Sequence, residues 1–141
     1  MQQIKEEEMQ RLDPSGSRRA LLDRTSPSCL TPGSIVVVKK QACLSKPAVH
    51  TFIGTLLEIR RKGVASSITL RNIVHRQAVE LSIPVFSPLV KGIDVVRKVN
   101  RFRRARLTFL RDPKRKESPL LAESFAGKKR EEIHKLRKPQ L

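Results

Sequence analysis

The eleven residues Arg101–Arg111 (RFRRARLTFLR) hold five arginines and interleave them with Phe102, Ala105, Leu107, Phe109 and Leu110. A guanidinium presents a planar fork of N–H donors that matches the oxygens of a phosphate and keeps its charge at physiological pH. Arginine at this density suits the chemistry of gripping a polyanion. A tail built only for charge has no use for the apolar residues, and a purely structural strand has none for so many arginines. From Arg103 onward, Ala105, Leu107 and Phe109 alternate with Arg104, Arg106 and Thr108, and in a strand these sets point to opposite faces. The pattern predicts a strand over Arg103–Leu110, with Leu107 and Phe109 toward a core and Arg104 and Arg106 toward the polyanion.

Other basic residues extend the candidate interface. Lys39, Lys40, Arg60, Arg61, Lys62, Arg71, Arg76, Arg97, Lys98, Arg101, Arg103, Arg104, Arg106, Arg111, Lys114, Arg115 and Lys116 form the set expected to bind nucleic acid, with Lys128-Lys129-Arg130 as a further charge run. The net charge of +17 is unevenly placed: residues 1–30 hold five basic and five acidic side chains, and the rest of the chain holds twenty-five against eight. Such a field repels itself unless a polyanion neutralises it. Glu80, Asp94 and Asp112 are expected to be structural partners of nearby cations. Nucleic acid is the first candidate partner. An anionic membrane is disfavoured, because no apolar run reaches spanning length and the apolar stretches read as strands. With no Tyr or Trp and five Phe, the chain lacks a platform for stacking single-stranded bases, so contact should go to the phosphates and riboses of folded RNA.

Enzymatic chemistry finds no support. His50, His75 and His134 are scattered and do not share a metal-binding spacing. There is no GxSxG, no phosphate-cradling glycine loop and no paired carboxylate. Cys29 and Cys43 form no CxxC and are expected to be free thiols in a reducing compartment. No catalytic, cofactor-binding or metal-ligating residue is therefore expected, and no small-molecule substrate. Glu6-Glu7-Glu8 near the start is unlike an Arg-rich, acid-poor presequence.

The elements that must position these cations are short. Residues 1–33 read as an extension, with a helix over Glu6–Leu12 ended by Asp13-Pro14-Ser15-Gly16 and a second helical turn over Ser17–Leu22. Strands are predicted at Ile35–Val38, Val49–Ile59, Ser67–Val74, Ala78–Val85, Ile93–Val99 and Arg103–Leu110, separated by Lys62-Gly63, Ser87-Pro88 and Lys91-Gly92. Pro84 places its strand at an edge or a bulge, and Gly54 marks a bend or a close backbone approach. The expected class is mainly β, a small antiparallel barrel or sandwich over residues 34–112. A basic extension at 113–141 would carry helices starting at Ser118-Pro119 and over Lys128–Lys138.

In order along the chain, Pro32-Gly33, Phe52-Ile53-Gly54, Arg60-Arg61-Lys62-Gly63, Leu70-Arg71-Asn72-Ile73, Ala78-Val79-Glu80, Phe86-Ser87-Pro88, Ile93-Asp94-Val95-Val96-Arg97 and Arg103–Arg111 resemble the motifs of one family. That family is ribosomal protein nineteen of the bacterial-type large subunit. Ser34 stands where the family carries an acidic residue, His75–Ala78 replaces its glycines, and Gln41–Ala48 differs from its longer basic loop. With both extensions, and with Leu12-Asp13-Pro14-Ser15-Gly16 followed by Arg18-Arg19, the chain is similar to fungal mitochondrial members.

The resemblance implies an SH3-like barrel with partly helical extensions. It also implies a non-enzymatic constituent of a mitochondrial large ribosomal subunit, located in the matrix and supporting translation. Its implied partners are large-subunit rRNA near the inter-subunit face, neighbouring large-subunit proteins, and small-subunit rRNA at an inter-subunit bridge. The alternative is a free-standing RNA-binding or ribosome-assembly module.

Overall fold

The structure, a computed structural model, describes residues 2–45, 48–74, 77–99 and 102–112. Five antiparallel strands make one sheet: β1 (Ile35–Gln41), β2 (Val49–Arg60), β3 (Ser67–Val74), β4 (Gln77–Pro84) and β5 (Val90–Arg97), in the order β4-β3-β2-β1-β5. Two helices precede it, α1 (Gln2–Leu12) and α2 (Ser17–Leu22). The mainly β class read from the sequence holds. Among the described residues hydrogen bonding does not close the sheet, and β4 and β5 are its edges. The chain divides into two compact units, Met1–Arg106 and Leu107–Leu141.

Period-two patterning decides which side chains meet. Val36 and Val38 of β1, Leu56 of β2, Ile68 and Leu70 of β3, Ile83 of β4 and Val90 of β5 share one cluster with Val85 and Phe86. Each such side chain contributes about 1.5–3 kcal/mol on full burial. Leu56 pairs with Leu70, but the next registered pair is Glu58 with Thr69, leaving Leu57 as an extra residue in β2. This bulge shifts the alternation by one, so that Ile59, paired with Ile68, packs against the core while Glu58 goes to the other face. The outer face is also covered where it matters: Ile35 and Val37 are fully buried, as are Ile53 and Thr55 beside them.

Two readings of special residues are met. A Cβ on Gly54 would lie 2.9 Å from the Arg71 carbonyl oxygen, so glycine is needed for β2 to approach β3. Pro84 ends the edge strand β4, opposite Ser67. In β4 the alternating Val79, Leu81, Ile83 and Val85 go from exposed to fully buried toward the C-terminal end.

The N-terminal segment joins the sheet's core. Leu22 and Leu30 belong to the central cluster, and Met9 and Leu21 pack against it. Asp13, ahead of α2, is buried and accepts hydrogen bonds from the backbone N–H groups of Arg18 (2.8 Å) and Arg19 (3.0 Å), two donors of the helix's first turn that have no partner within the helix. Ser34 replaces the family's acidic residue without leaving a gap. Its buried hydroxyl accepts from Val99 N–H (3.2 Å) and exchanges a bond with Thr31 Oγ1 (2.8 Å), tying the start of β1 to the chain after β5.

The predicted strand Arg103–Leu110 is not formed. Only Arg106 makes a bridge, to Glu58, and Thr108–Arg111 is a 3₁₀ turn held by Leu110 N–H to Leu107 O (3.1 Å) and Asp112 N–H to Phe109 O (3.3 Å). A strand needs a partner's edge, and β2 is already paired on both sides by β1 and β3. Backbone groups after Leu107 satisfy one another locally instead. Alternation over so short a run fits more than one conformation. Leu107 is nonetheless fully buried, as its apolar side predicted, while Phe109 is half-buried and Ala105 exposed. The expected helices at 118–138 lie outside the described residues.

Candidate nucleic-acid interface

Between residues 34 and 106 there are fifteen basic side chains and three acidic ones, Glu58, Glu80 and Asp94. Each of the three is engaged. Glu80 meets Arg71 at 2.8 Å across the registered β3–β4 pair, and Asp94 meets Lys39 at 3.4 Å across β1–β5. Glu58 takes two arginines on one oxygen, Arg60 Nε at 2.9 Å and Arg106 Nε at 3.1 Å.

The Glu58 cluster organises the surface. Its carboxylate is only 10% exposed, whereas the Arg60 and Arg106 side chains are 59% and 66% exposed. One negative charge orients two positive ones, and the outward guanidinium surfaces retain a net charge available to phosphate. The bulge at Leu57 is what turns Glu58 to this face. The cluster joins two basic segments that are far apart in sequence: the turn carrying Arg60, Arg61 and Lys62, and the stretch carrying Arg103, Arg104 and Arg106. Lys62, Arg103 and Arg104 are exposed beside it in sequence. Gly63, with φ +57, lets the first segment turn away from β2 into the short 3₁₀ helix Gly63–Ala65.

The other candidates fall into distinct settings. Arg71, 13% exposed, is held by Glu80. Arg61 donates from Nε to the Leu22 carbonyl at 2.8 Å and so fastens the end of α2. Lys39 and Lys40 lie half-buried on β1, Arg97 and Lys98 are exposed at the end of β5, and Lys98 Nζ reaches the Pro27 carbonyl at 3.1 Å. Arg111 is exposed in the second unit. Arg76, Arg101, Lys114, Arg115 and Lys116 lie outside the described residues.

One arginine that sequence reasoning left out of the interface proves structural. Arg18 directs Nη1 to the carbonyls of Val85 (3.2 Å) and Ser87 (3.1 Å) and Nη2 to that of Val90. It thereby holds the β4–β5 connection against α2. The only available signal was its place after the Asp13-Pro14-Ser15-Gly16 break. Among the described residues no helix is long and apolar enough to cross a membrane, and no three His, Cys, Asp or Glu side chains group as a metal site. Cys29 and Cys43 are free thiols.

Fold and surface together define a small, mainly β protein with a basic face whose few carboxylates are already engaged. The chain belongs to the ribosomal protein L19 family, whose profile matches residues 16–122. It is 37% identical over 113 residues to large ribosomal subunit protein bL19m of Schizosaccharomyces pombe, an alignment covering 77% of this chain and 62% of that protein. With bL19m of Neurospora crassa it shares 29% identity over 131 residues, covering 92% and 48%. With bL19 of Clostridium botulinum it shares 41% over 68 residues, covering 48% and 59%. The chain thus spans less than two thirds of the length of each of these relatives.

Proposed function

We propose that this protein is a structural, non-enzymatic constituent of a mitochondrial large ribosomal subunit, binding rRNA near the face that meets the small subunit and supporting mitochondrial translation. The carrying observation is the Arg60–Glu58–Arg106 cluster in a chain of the L19 family: both arginines stay more than half exposed although they share a carboxylate. The fungal relatives named as bL19m support the mitochondrial setting.

In this reading, residues 34–112 form the SH3-like RNA-binding body. Residues 1–33 buttress it, and 113–141 run along RNA or neighbouring large-subunit proteins. Arg60, Lys62, Arg103, Arg104 and Arg106 meet phosphates, joined by Lys39, Lys40, Arg61, Arg71, Arg76, Arg97, Lys98, Arg101, Arg111 and Lys114–Lys116 at the margins. Small-subunit rRNA is a further partner at an inter-subunit bridge. The barrel holds the guanidinium groups in place before contact, and binding releases the counterions condensed on the RNA. Sedimentation of mitochondrial large subunits through high salt is the test. The chain should remain with the particle; recovery only from free fractions or immature precursors would replace this reading with an assembly module.

A further inference from the structure

Residues 1–30 carry no net charge in a chain of +17, and they enclose the structure's clearest concavity. A cavity of about 340 Å³ opens where α1 and α2 meet the turn after β2. Leu22, Ser66 and Phe86 are its buried lining and Met9 its half-buried wall, with Arg19, Asp23 and Arg61 exposed at the rim. The rim is of mixed sign, and Arg61 is already bonded to Leu22 O. Asp23 keeps its charge readily: the Thr25 N–H at 3.1 Å and the Thr25 hydroxyl hold its carboxyl below the ordinary value.

The wall continues outward along α1. On a helix, Leu12 stands next to Met9 and one residue of each neighbouring turn follows toward Ile4, through Glu8. Ile4 is 61% and Leu12 36% exposed. Glu6, Glu7 and Glu8 are exposed on the same helix. Three carboxylates repel RNA phosphates, while an apolar ridge leading into an apolar cavity is the pattern of a protein contact with an anchoring side chain.

We propose that this α1 ridge and the cavity behind it dock a basic segment of a second protein, which inserts one large apolar side chain between Met9, Leu22 and Phe86 and sets its cations against Glu6–Glu8. The molecule thereby has two faces, one for RNA and one for a protein neighbour. The inference rests on the ribosomal reading, because the neighbour is another protein of the particle.

The test places the photo-crosslinking residue p-benzoyl-phenylalanine in the full chain as Leu12→p-benzoyl-phenylalanine or Ile4→p-benzoyl-phenylalanine, incorporates each into large subunits, and identifies the crosslinked product by mass spectrometry. The expected product is a Lys/Arg-rich peptide of one other large-subunit protein. Its yield should fall about tenfold when Glu6, Glu7 and Glu8 are all changed to Lys, since like charges facing each other across an interface are costly. Crosslinks to RNA or to a second copy of the chain would overturn the proposal. So would no crosslink from either position in particles that retain the chain. Failure of the unmodified chain to enter large subunits would overturn the ribosomal reading, and the docking with it.

Discussion

Arg18 and the pair Arg60/Arg106 are the same residue type in opposite employment. Arg18 reaches three backbone carbonyls, those of Val85, Ser87 and Val90, and closes the N-terminal segment onto the sheet. Arg60 and Arg106 share one carboxylate and stay more than half exposed. The difference lies in what surrounds each side chain. An arginine aimed at orphan carbonyls becomes part of the fold, whereas two arginines held by a single carboxylate keep an unneutralised surface for a polyanion. Charge density alone does not separate the two uses.

The sharpest way to break the comparison is to ask whether the N-terminal segment is structural at all. Leu30→Ala, in the central cluster, should destabilise the chain by about 2–5 kcal/mol. Thermal or urea unfolding checks it, and an unchanged midpoint would make the segment dispensable. Next, Arg18→Ala should cost about 1–3 kcal/mol by removing a charged donor from buried carbonyls, with no change in the salt slope of RNA binding. By contrast, Arg60→Ala combined with Arg106→Ala should alter stability by less than about 1 kcal/mol. It should, however, lower the slope of log affinity against log salt by about two; equal slopes for variant and native chain would remove these arginines from the interface. The smallest effect is expected from Glu58→Gln, which releases both arginines from their carboxylate. RNA binding at low salt should tighten by about threefold or less, read by filter binding or fluorescence anisotropy.

Much of this fold can be read from period-two patterning. Ser67–Val74 is a strand over the predicted bounds, Ser17–Leu22 is the predicted short helix, and Gly54 sits where a side chain would strike the Arg71 backbone. Strand ends are less legible: β5 begins at Val90 instead of Ile93 because Lys40 and Val90 pair beyond a register shift. Arg103–Leu110 misleads for a physical reason. Its alternation correctly marks Leu107 as buried, but a sequence does not display whether a strand edge is free to receive it. The division of the arginines was hidden for a similar reason. Neither the carbonyls around Arg18 nor the bulge that presents Glu58 to two arginines is visible in residue types.

The most direct test of the central claim is a density map of the intact mitochondrial large subunit containing this chain. It should place the Arg60 and Arg106 guanidinium groups within hydrogen-bonding distance of rRNA phosphate oxygens, with Arg18 still on the Val85, Ser87 and Val90 carbonyls. A map in which the Arg60–Glu58–Arg106 face meets only solvent or protein would contradict the account.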